Sequence, residues 1–133
     1  MLSLEIITPE KTVVKDEVDV VEATGAEGEF GIMPGHTQFL TTLKIGEIRY
    51  RKGNETVYLS SSGGFAEVVD DKVTLLVDTA ERSQEIDVDR AKRAMEKAEA
   101  ELKSLSFDQN EYRMMEMALL RAIARIGVAS KKI

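Results

Sequence analysis

The sequence predicts two unlike structures in series: short strands forming an all-β sandwich or barrel over residues 1–85, then an antiparallel two-helix hairpin over residues 86–133. Three observations predict this division. Eight of the nine glycines, both prolines and 24 of the 30 Val, Ile and Thr residues lie in 1–85, which is the composition of strands joined by tight turns. The apolar period is two in that part and changes to alternating threes and fours after Ile86. Charge divides at the same place: residues 1–85 hold 16 Asp or Glu against 8 Lys or Arg, net −8, whereas residues 86–133 hold 8 against 10, net +2.

The strands can be taken in order. Leu2, Leu4 and Ile6 share one face of the opening segment. Val18 and Val20 flank Asp19, Ile48 and Tyr50 stand among Glu47, Arg49 and Arg51, and Val73, Leu75 and Val77 alternate with Thr74, Leu76 and Asp78. Each pattern is that of a strand with one buried face. Lys52-Gly53-Asn54-Glu55 reads as a hairpin turn, and so does Asp70-Asp71-Lys72. Eight or more short strands fit before residue 80 with no helical segment among them, so a βαβ nucleotide-binding layout is not expected.

In the second part, Ala91, Met95, Ala98, Leu102 and Leu105 make one narrow apolar seam, and Tyr112, Met115, Leu119, Ala122, Ile126 and Ala129 make another. Asp87 is placed to cap the first helix; Asp108 or Asn110 is placed to cap the second. The short break at residues 106–110 makes the helices antiparallel neighbours. Alanine seams bury little area, and a hairpin of fewer than about 50 residues seldom stands alone, so this one needs a surface to dock on. That surface is the sandwich, another subunit, or each in turn. Four of the six methionines lie here and either fill a small core or serve a surface that repacks.

Composition excludes much chemistry. The 133 residues contain no cysteine and one histidine, which removes disulfides, thiolate zinc sites and cysteine nucleophiles. The net charge of −6 argues against a nucleic-acid partner. No apolar run reaches the roughly 18 to 20 residues of a membrane span, and the first residues lack a signal-peptide pattern, so an intracellular protein with no direct membrane insertion is expected. Gly25 to His36 packs four glycines and a proline into twelve residues, but without the Lys-Ser/Thr pair or following helix of a phosphate-binding loop it reads as tight turns. His36 has only Glu27 and Glu29 nearby, a weak ligand set, and reads better as a polar tip in a protein contact. Ser60-Ser61-Ser62-Gly63-Gly64 is a strand end with a glycine bulge rather than a nucleophile elbow.

Arg90, Arg93 and Lys97 follow at i, i+3 and i+7 as one cationic stripe, and Arg121 and Arg125 stand one turn apart on the second helix. Two readings are open. These charges are a solvated face paired with acidic neighbours, or closing the hairpin gathers them around an anion such as a polyphosphate.

Four segments, in this order and spacing, resemble a known family: Gly28-Glu29-Phe30-Gly31-Ile32-Met33-Pro34-Gly35-His36, Leu43-Lys44-Ile45-Gly46, Ser61-Ser62-Gly63-Gly64-Phe65-Ala66-Glu67-Val68, and Ile86-Asp87-Val88-Asp89-Arg90-Ala91. The family is the epsilon subunit of the bacterial F-type ATP synthase, and the resemblance runs the length of the chain. It implies an antiparallel β-sandwich of about ten strands (1–85) that binds the gamma subunit and the ring of c subunits in the central stalk. It also implies a helical domain (86–133) that, when extended, reaches the alpha and beta subunits and restrains ATP hydrolysis. The implied role is non-catalytic: coupling proton translocation to ATP synthesis, on the cytoplasmic face of the bacterial inner membrane. The loop with Glu29 and His36 is implied to face the rotor ring or gamma. No cofactor is required. Some members bind a regulatory ATP, and the residues that match their motif here are Glu81, Ile86, Asp87, Arg90, Ala91, Arg121 and Arg125; Lys97 stands where tightly binding members have arginine. The alternatives from other classes are a free-standing β-sandwich ligand-binding module and a small hydrolase built on residues 60–62 or His36.

Overall fold

The computed structural model describes residues 1–106 and 110–131. Its strands are β1 (Leu2–Ile7), β2 (Thr12–Val18), β3 (Val20–Gly25), β4 (Gly28–Ile32), β5 (Phe39–Lys52), β6 (Glu55–Ser61), β7 (Gly64–Val69), β8 (Lys72–Val77) and β9 (Ala80–Arg82). A single 3-10 turn at Ser83–Glu85 leads into helices α1 (Val88–Ser104) and α2 (Asn110–Ala129).

The strands pair in the order β2-β1-β8-β7-β5-β3-β4, with β6 also on β5 and β9 on β6. β5 explains how one path makes two layers. Its first five residues pair with β7, from Phe39↔Val68 to Leu43↔Gly64. From Gly46 to Lys52 it pairs with β6, while Val20 to Ala23 of β3 lie along its other edge. A strand that changes sheets turns a corner of the sandwich. Nine strands therefore do the work of the ten or so expected, because this one element of 14 residues serves both layers. One pair departs from the antiparallel rule: β1 and β8 run parallel, with Leu4 opposite Val73 and Ile6 opposite Leu75.

The core contains most of what the alternation picks out, with Val21 in place of half-buried Val20 and with Leu59 added. Leu2, Leu4, Ile6, Val21, Ile48, Leu59, Val73 and Leu75 are all at most 1% exposed. Val18 and Val20 do not share a strand, since the chain bends at Asp19 and starts β3 at Val20. The Asp19 carboxylate accepts the Gly53 N–H at 2.8 Å, tying this bend to the Gly53-Asn54 hairpin turn.

At the start of β7 the backbone itself leaves no room. A Cβ on Gly64 would lie 1.9 Å from the Leu76 carbonyl oxygen, and φ there is +153°. Gly63, at φ +99°, has Leu43 O at 3.0 Å from the same position. The glycine pair thus lets β7 leave β6 and press against β8 and β5.

The seams of the helices are those read from the spacing. Ala91 and Ala98 are buried on α1, and Ala122 and Ala129 on α2. Asp87 caps α1, its carboxylate accepting the Arg90 N–H at 3.0 Å. Of the two cap candidates for α2, Asp108 lies outside the described residues and Asn110 is already the first helical residue.

The hairpin is docked on the sandwich by the C-terminal half of α2, against β5 and β6. The apolar part of the contact is small: Ile86, Val128 and Ala129 are buried, with Tyr58 and Val88 packed beside them. Burying two large aliphatic side chains contributes about 3 to 6 kcal/mol before the entropy of ordering is subtracted. Two ion pairs flank this cluster, Arg125–Glu81 and Lys131–Glu47. Lys131 lies 2.6 Å from Glu47 and 5.5 Å above the Tyr58 ring centroid.

Gly64→Ala is expected to destabilise the protein by about 3 kcal/mol or more, because two paired strands must separate to admit one methyl group; urea unfolding measures it, and a wild-type midpoint would refute the close-approach argument. Lys131→Ala is expected to lower the docked-to-undocked ratio by up to about fivefold, the equivalent of ~1 kcal/mol for a partly exposed pair, and to weaken the dependence of docking on salt. Energy transfer between dyes on cysteines introduced at Lys15 and Arg113 would report it. Unchanged transfer would assign docking to the apolar cluster and the Arg125–Glu81 pair.

Candidate functional site

Two groups of the residues singled out by sequence come together, in different parts of the fold. The first lies where α2 crosses the end of β6 and β9. Glu81 pairs with Ser60 in the β6–β9 ladder, which sets both residues beside the docked helix. Arg125 Nε is 2.7 Å from Glu81 Oε1, and its Nη2 donates to Oε2 at 3.4 Å. The Nε–H is buried and lies off the axis of that close oxygen, so the contact is an ion pair without an aligned hydrogen bond. Arg121, one turn earlier, is exposed and makes no ion pair among the described residues. A cavity of about 30 Å³ between them is lined by Ser60, Ser61, Ser62, Thr79, Glu81 and the two arginines.

The rest of the nucleotide motif is arranged around this point without joining it in contact. Ile86 is in the docking cluster, Ala91 is buried in the helix seam, and Asp87 is engaged as the cap. Arg90, Arg93 and Lys97 are exposed along α1 and form no ion pair among the described residues. Chemically, two guanidinium groups a turn apart with one unaligned Nε–H suit an oxyanion. The cavity, though, holds about one water, so a phosphate would sit at Arg121 or displace Glu81 from Arg125.

The second group is the glycine-rich segment. Residues 25–28 close the β3–β4 hairpin, with Gly25 opposite Gly28 and Gly28 at φ +118°. Glu29 is exposed on β4. After β4 the chain turns at 33–36, where His36 N–H donates to Met33 O at 3.2 Å. The His36 ring meets Phe39 edge-on at 5.7 Å, Phe39 meets Phe30 at 5.2 Å, and His36 Nδ1 lies 2.8 Å from Thr37 O. Met33, 62% exposed, stands at the tip.

The structure does not assemble a hydrolase. Ser61 Oγ accepts the Gly63 N–H at 3.1 Å and Ser62 Oγ accepts the Thr79 N–H at 2.8 Å, so these hydroxyls are engaged with backbone at the β6–β7 connection, and the contacts of His36 are elsewhere. Among the described residues no group of three or more His, Asp or Glu is placed to hold a metal ion. A groove of about 490 Å³ runs between the β5–β6 turn and the end of α2. Both of its lysines are already paired, Lys52 with Asp16 at 2.8 Å and Lys131 with Glu47.

Sequence reasoning missed the charge chain beneath the docked helix: Lys131–Glu47–Arg49–Glu22, with contacts of 2.6, 3.0 and 2.7 Å. The hydrogen bond from Arg49 holds the Glu22 carboxyl below its ordinary range, and the same bond, with help from Glu47, holds Arg49 protonated more firmly. The signal was present as Glu47 and Arg49 on the outward positions beside buried Ile48 and Tyr50, but their partners, Glu22 on β3 and Lys131 just past α2, are long-range.

Residues 1–83 match the family described as ATP synthase, Delta/Epsilon chain, beta-sandwich domain, and residues 84–130 match ATP synthase, Delta/Epsilon chain, long alpha-helix domain. The chain is 53% identical over 130 residues to the ATP synthase epsilon chain of Geobacter sulfurreducens, an alignment covering 98% of this chain and 94% of that one. The ATP synthase epsilon chain of Geotalea uraniireducens is 51% identical with the same coverage. Among solved structures, a chain of the Euglena gracilis mitochondrial ATP synthase (OSCP/F1/c-ring in rotational state 1) superposes with a TM-score of 0.83 at 28% identity, over 97% of this chain and 81% of that one. A chain of the Tetrahymena thermophila mitochondrial ATP synthase central stalk and c-ring shares the fold at a TM-score of 0.65 and 14% identity, over 98% and 94%. With both of its parts matched and more than half its residues shared with epsilon chains over nearly their whole length, the chain belongs to the epsilon-chain family of ATP synthase.

Proposed function

We propose that this epsilon chain couples proton translocation to ATP synthesis as a non-catalytic subunit of the central stalk, with residues 1–85 as a coupling platform and residues 86–133 as a hairpin that restrains ATP hydrolysis. One observation carries the reading. The docked hairpin leaves large apolar side chains uncovered: Met114, Met117, Leu120 and Ile123 of α2 are 48–63% exposed, while the docking cluster holds only five residues. A helix with apolar surface on two sides has a second partner, and a two-state element with a small docked interface is one whose population is easily moved. Family membership makes the alpha and beta subunits the natural second partner of the extended hairpin.

The platform has its own uncovered face. Phe65 and Leu76 are cross-strand neighbours on β7 and β8, 57% and 50% exposed, with Leu40 of β5 at 72%. This is the surface we assign to the gamma subunit, and the loop with Glu29, Met33 and His36 is the one we assign to the c-ring. No helix of the described residues is long and apolar enough to cross a membrane, which fits attachment through the complex at the cytoplasmic face of the bacterial inner membrane.

For the regulatory nucleotide, we assign Arg121 and Arg125 to phosphate contact, with Glu81, Ile86, Asp87, Arg90 and Ala91 framing the site. Bound ATP would supply the anion that a hairpin carrying both cationic stripes needs, and would favour the docked state. Binding is expected to be weak, since Glu81 already neutralises Arg125.

Calorimetric titration with ATP is expected to give heat in the millimolar range and to lose it in Arg121→Ala; no heat at millimolar ATP would rule out the nucleotide as a ligand of the hairpin. A fragment of residues 1–85 is expected to fold and to bind gamma, and the synthase assembled with it is expected to hydrolyse ATP several-fold faster than with the full chain. An unfolded fragment would refute the two-part division, and an unchanged hydrolysis rate would refute restraint by the hairpin.

A further inference from the structure

The turn between β7 and β8 breaks a rule that the rest of the chain keeps. Val69 pairs with Lys72, leaving Asp70 and Asp71 as the two turn residues, at φ 48° and 62°. Tight hairpins of this kind need φ > 0 at both positions and take glycine at the second. Wherever else the described backbone enters that region, at Gly28, Gly35, Gly53, Gly63 and Gly64, the residue is glycine. At Asp71 a side chain is kept where glycine would relieve the backbone.

That side chain has a use. Asp71 Oδ1 accepts the Gly35 N–H at 2.7 Å, across 36 residues, while the Asp71 carbonyl accepts the Ser3 N–H at 2.9 Å. The segment 33–38 belongs to no strand. Its other hydrogen bonds among the described residues, His36 N–H to Met33 O and His36 Nδ1 to Thr37 O, are internal to it. The carboxylate is therefore its hydrogen-bonded tether to the body of the sandwich, and a short charge-assisted bond is the strong kind. Gly35 is itself left-handed at φ 85°, and a Cβ there would touch nothing, so no bulk packs against the turn at the tethered residue; the turn's other contact with the sandwich is the His36 ring edge-on to Phe39.

We propose that Asp71 is a positioning residue for the 33–36 turn: held in a left-handed conformation, its carboxylate fixes the Gly35 amide and so sets where Met33 and His36 stand. The consequence for rotation rests on the assignment of this turn to the c-ring. Free energy spent on backbone conformation at a turn is a mark of geometry kept for use.

Two variants separate this from a merely structural turn. Asp71→Gly removes the acceptor and relieves the backbone; Asp71→Asn keeps an acceptor oxygen and tolerates φ > 0. Amide hydrogen exchange on the full chain is expected to show Gly35 and His36 exchanging at least tenfold faster in Asp71→Gly with no loss of melting temperature, and near wild-type rates in Asp71→Asn. Unchanged Gly35 exchange in Asp71→Gly, or equal acceleration in Asp71→Asn, would overturn the tether. ATP-driven proton pumping by the whole synthase carrying each variant tests the consequence. A several-fold loss in Asp71→Gly with recovery in Asp71→Asn supports it; faster exchange with undiminished pumping overturns the c-ring assignment and leaves the tether standing.

Discussion

The fold depends on one strand belonging to two layers. β5 gives its first residues to β7 and its last to β3 and β6, so the two sheets cannot slide or part without breaking the same element. The corner is crowded on every side. Gly46 sits where a Cβ would be 3.2 Å from Thr24 Oγ1, and the Gly63-Gly64 pair meets β5 and β8 at backbone contact distance. Close packing of this sort leaves few soft directions, and it suits a body that must transmit force rather than change shape.

The same corner locates everything that acts. The outward face of the second half of β5, with β6, is the floor on which α2 docks, and Glu47 of β5 holds Lys131 at the helix end. The first half of β5 carries Phe39, on which His36 rests, and exposed Leu40 beside Glu67 of β7. Sandwich, docked hairpin and 33–36 turn therefore share one reference strand, although the partners proposed for them differ. The hairpin differs in kind. Its interior is a seam of alanines and its grip on the platform is five apolar residues and two ion pairs, so its stability sits near the level where binding energies of a few kcal/mol decide its position.

What could be read from the sequence was whatever depends on near neighbours. Leu2, Leu4 and Ile6 declare a buried face by alternation alone, Ala91 and Ala98 declare a seam, and Asp87 declares a cap three residues before the amide it accepts. The turns at Gly53-Asn54 and Asp70-Asp71 were legible as turns. What depends on distant partners was not. The parallel pairing of β1 with β8 joins residues about 70 apart, and nothing in either strand marks its direction. Val18-Asp19-Val20 alternates like a strand yet is a bend, because the Asp19 carboxylate finds the Gly53 amide 34 residues away. For the nucleotide motif, residue types alone could list cations but not show that Glu81 already answers Arg125.

That last contact limits how an anion could act on the hairpin. A ligand shifts an equilibrium only by the difference in its affinity for the two states. Arg125 lies on α2 and Glu81 on β9, so their pair exists in the docked state and is lost on undocking. An anion that takes Arg125 from Glu81 replaces one docking contact by another, and leaves a carboxylate beside the incoming negative charge. An anion held by Arg121 breaks no such pair, and it favours the docked state to the extent that the β6 hydroxyls lining the same cavity share it, a contact that undocking removes. Of the two arginines one turn apart, the exposed one is thus the better sensor and the half-buried one the better anchor.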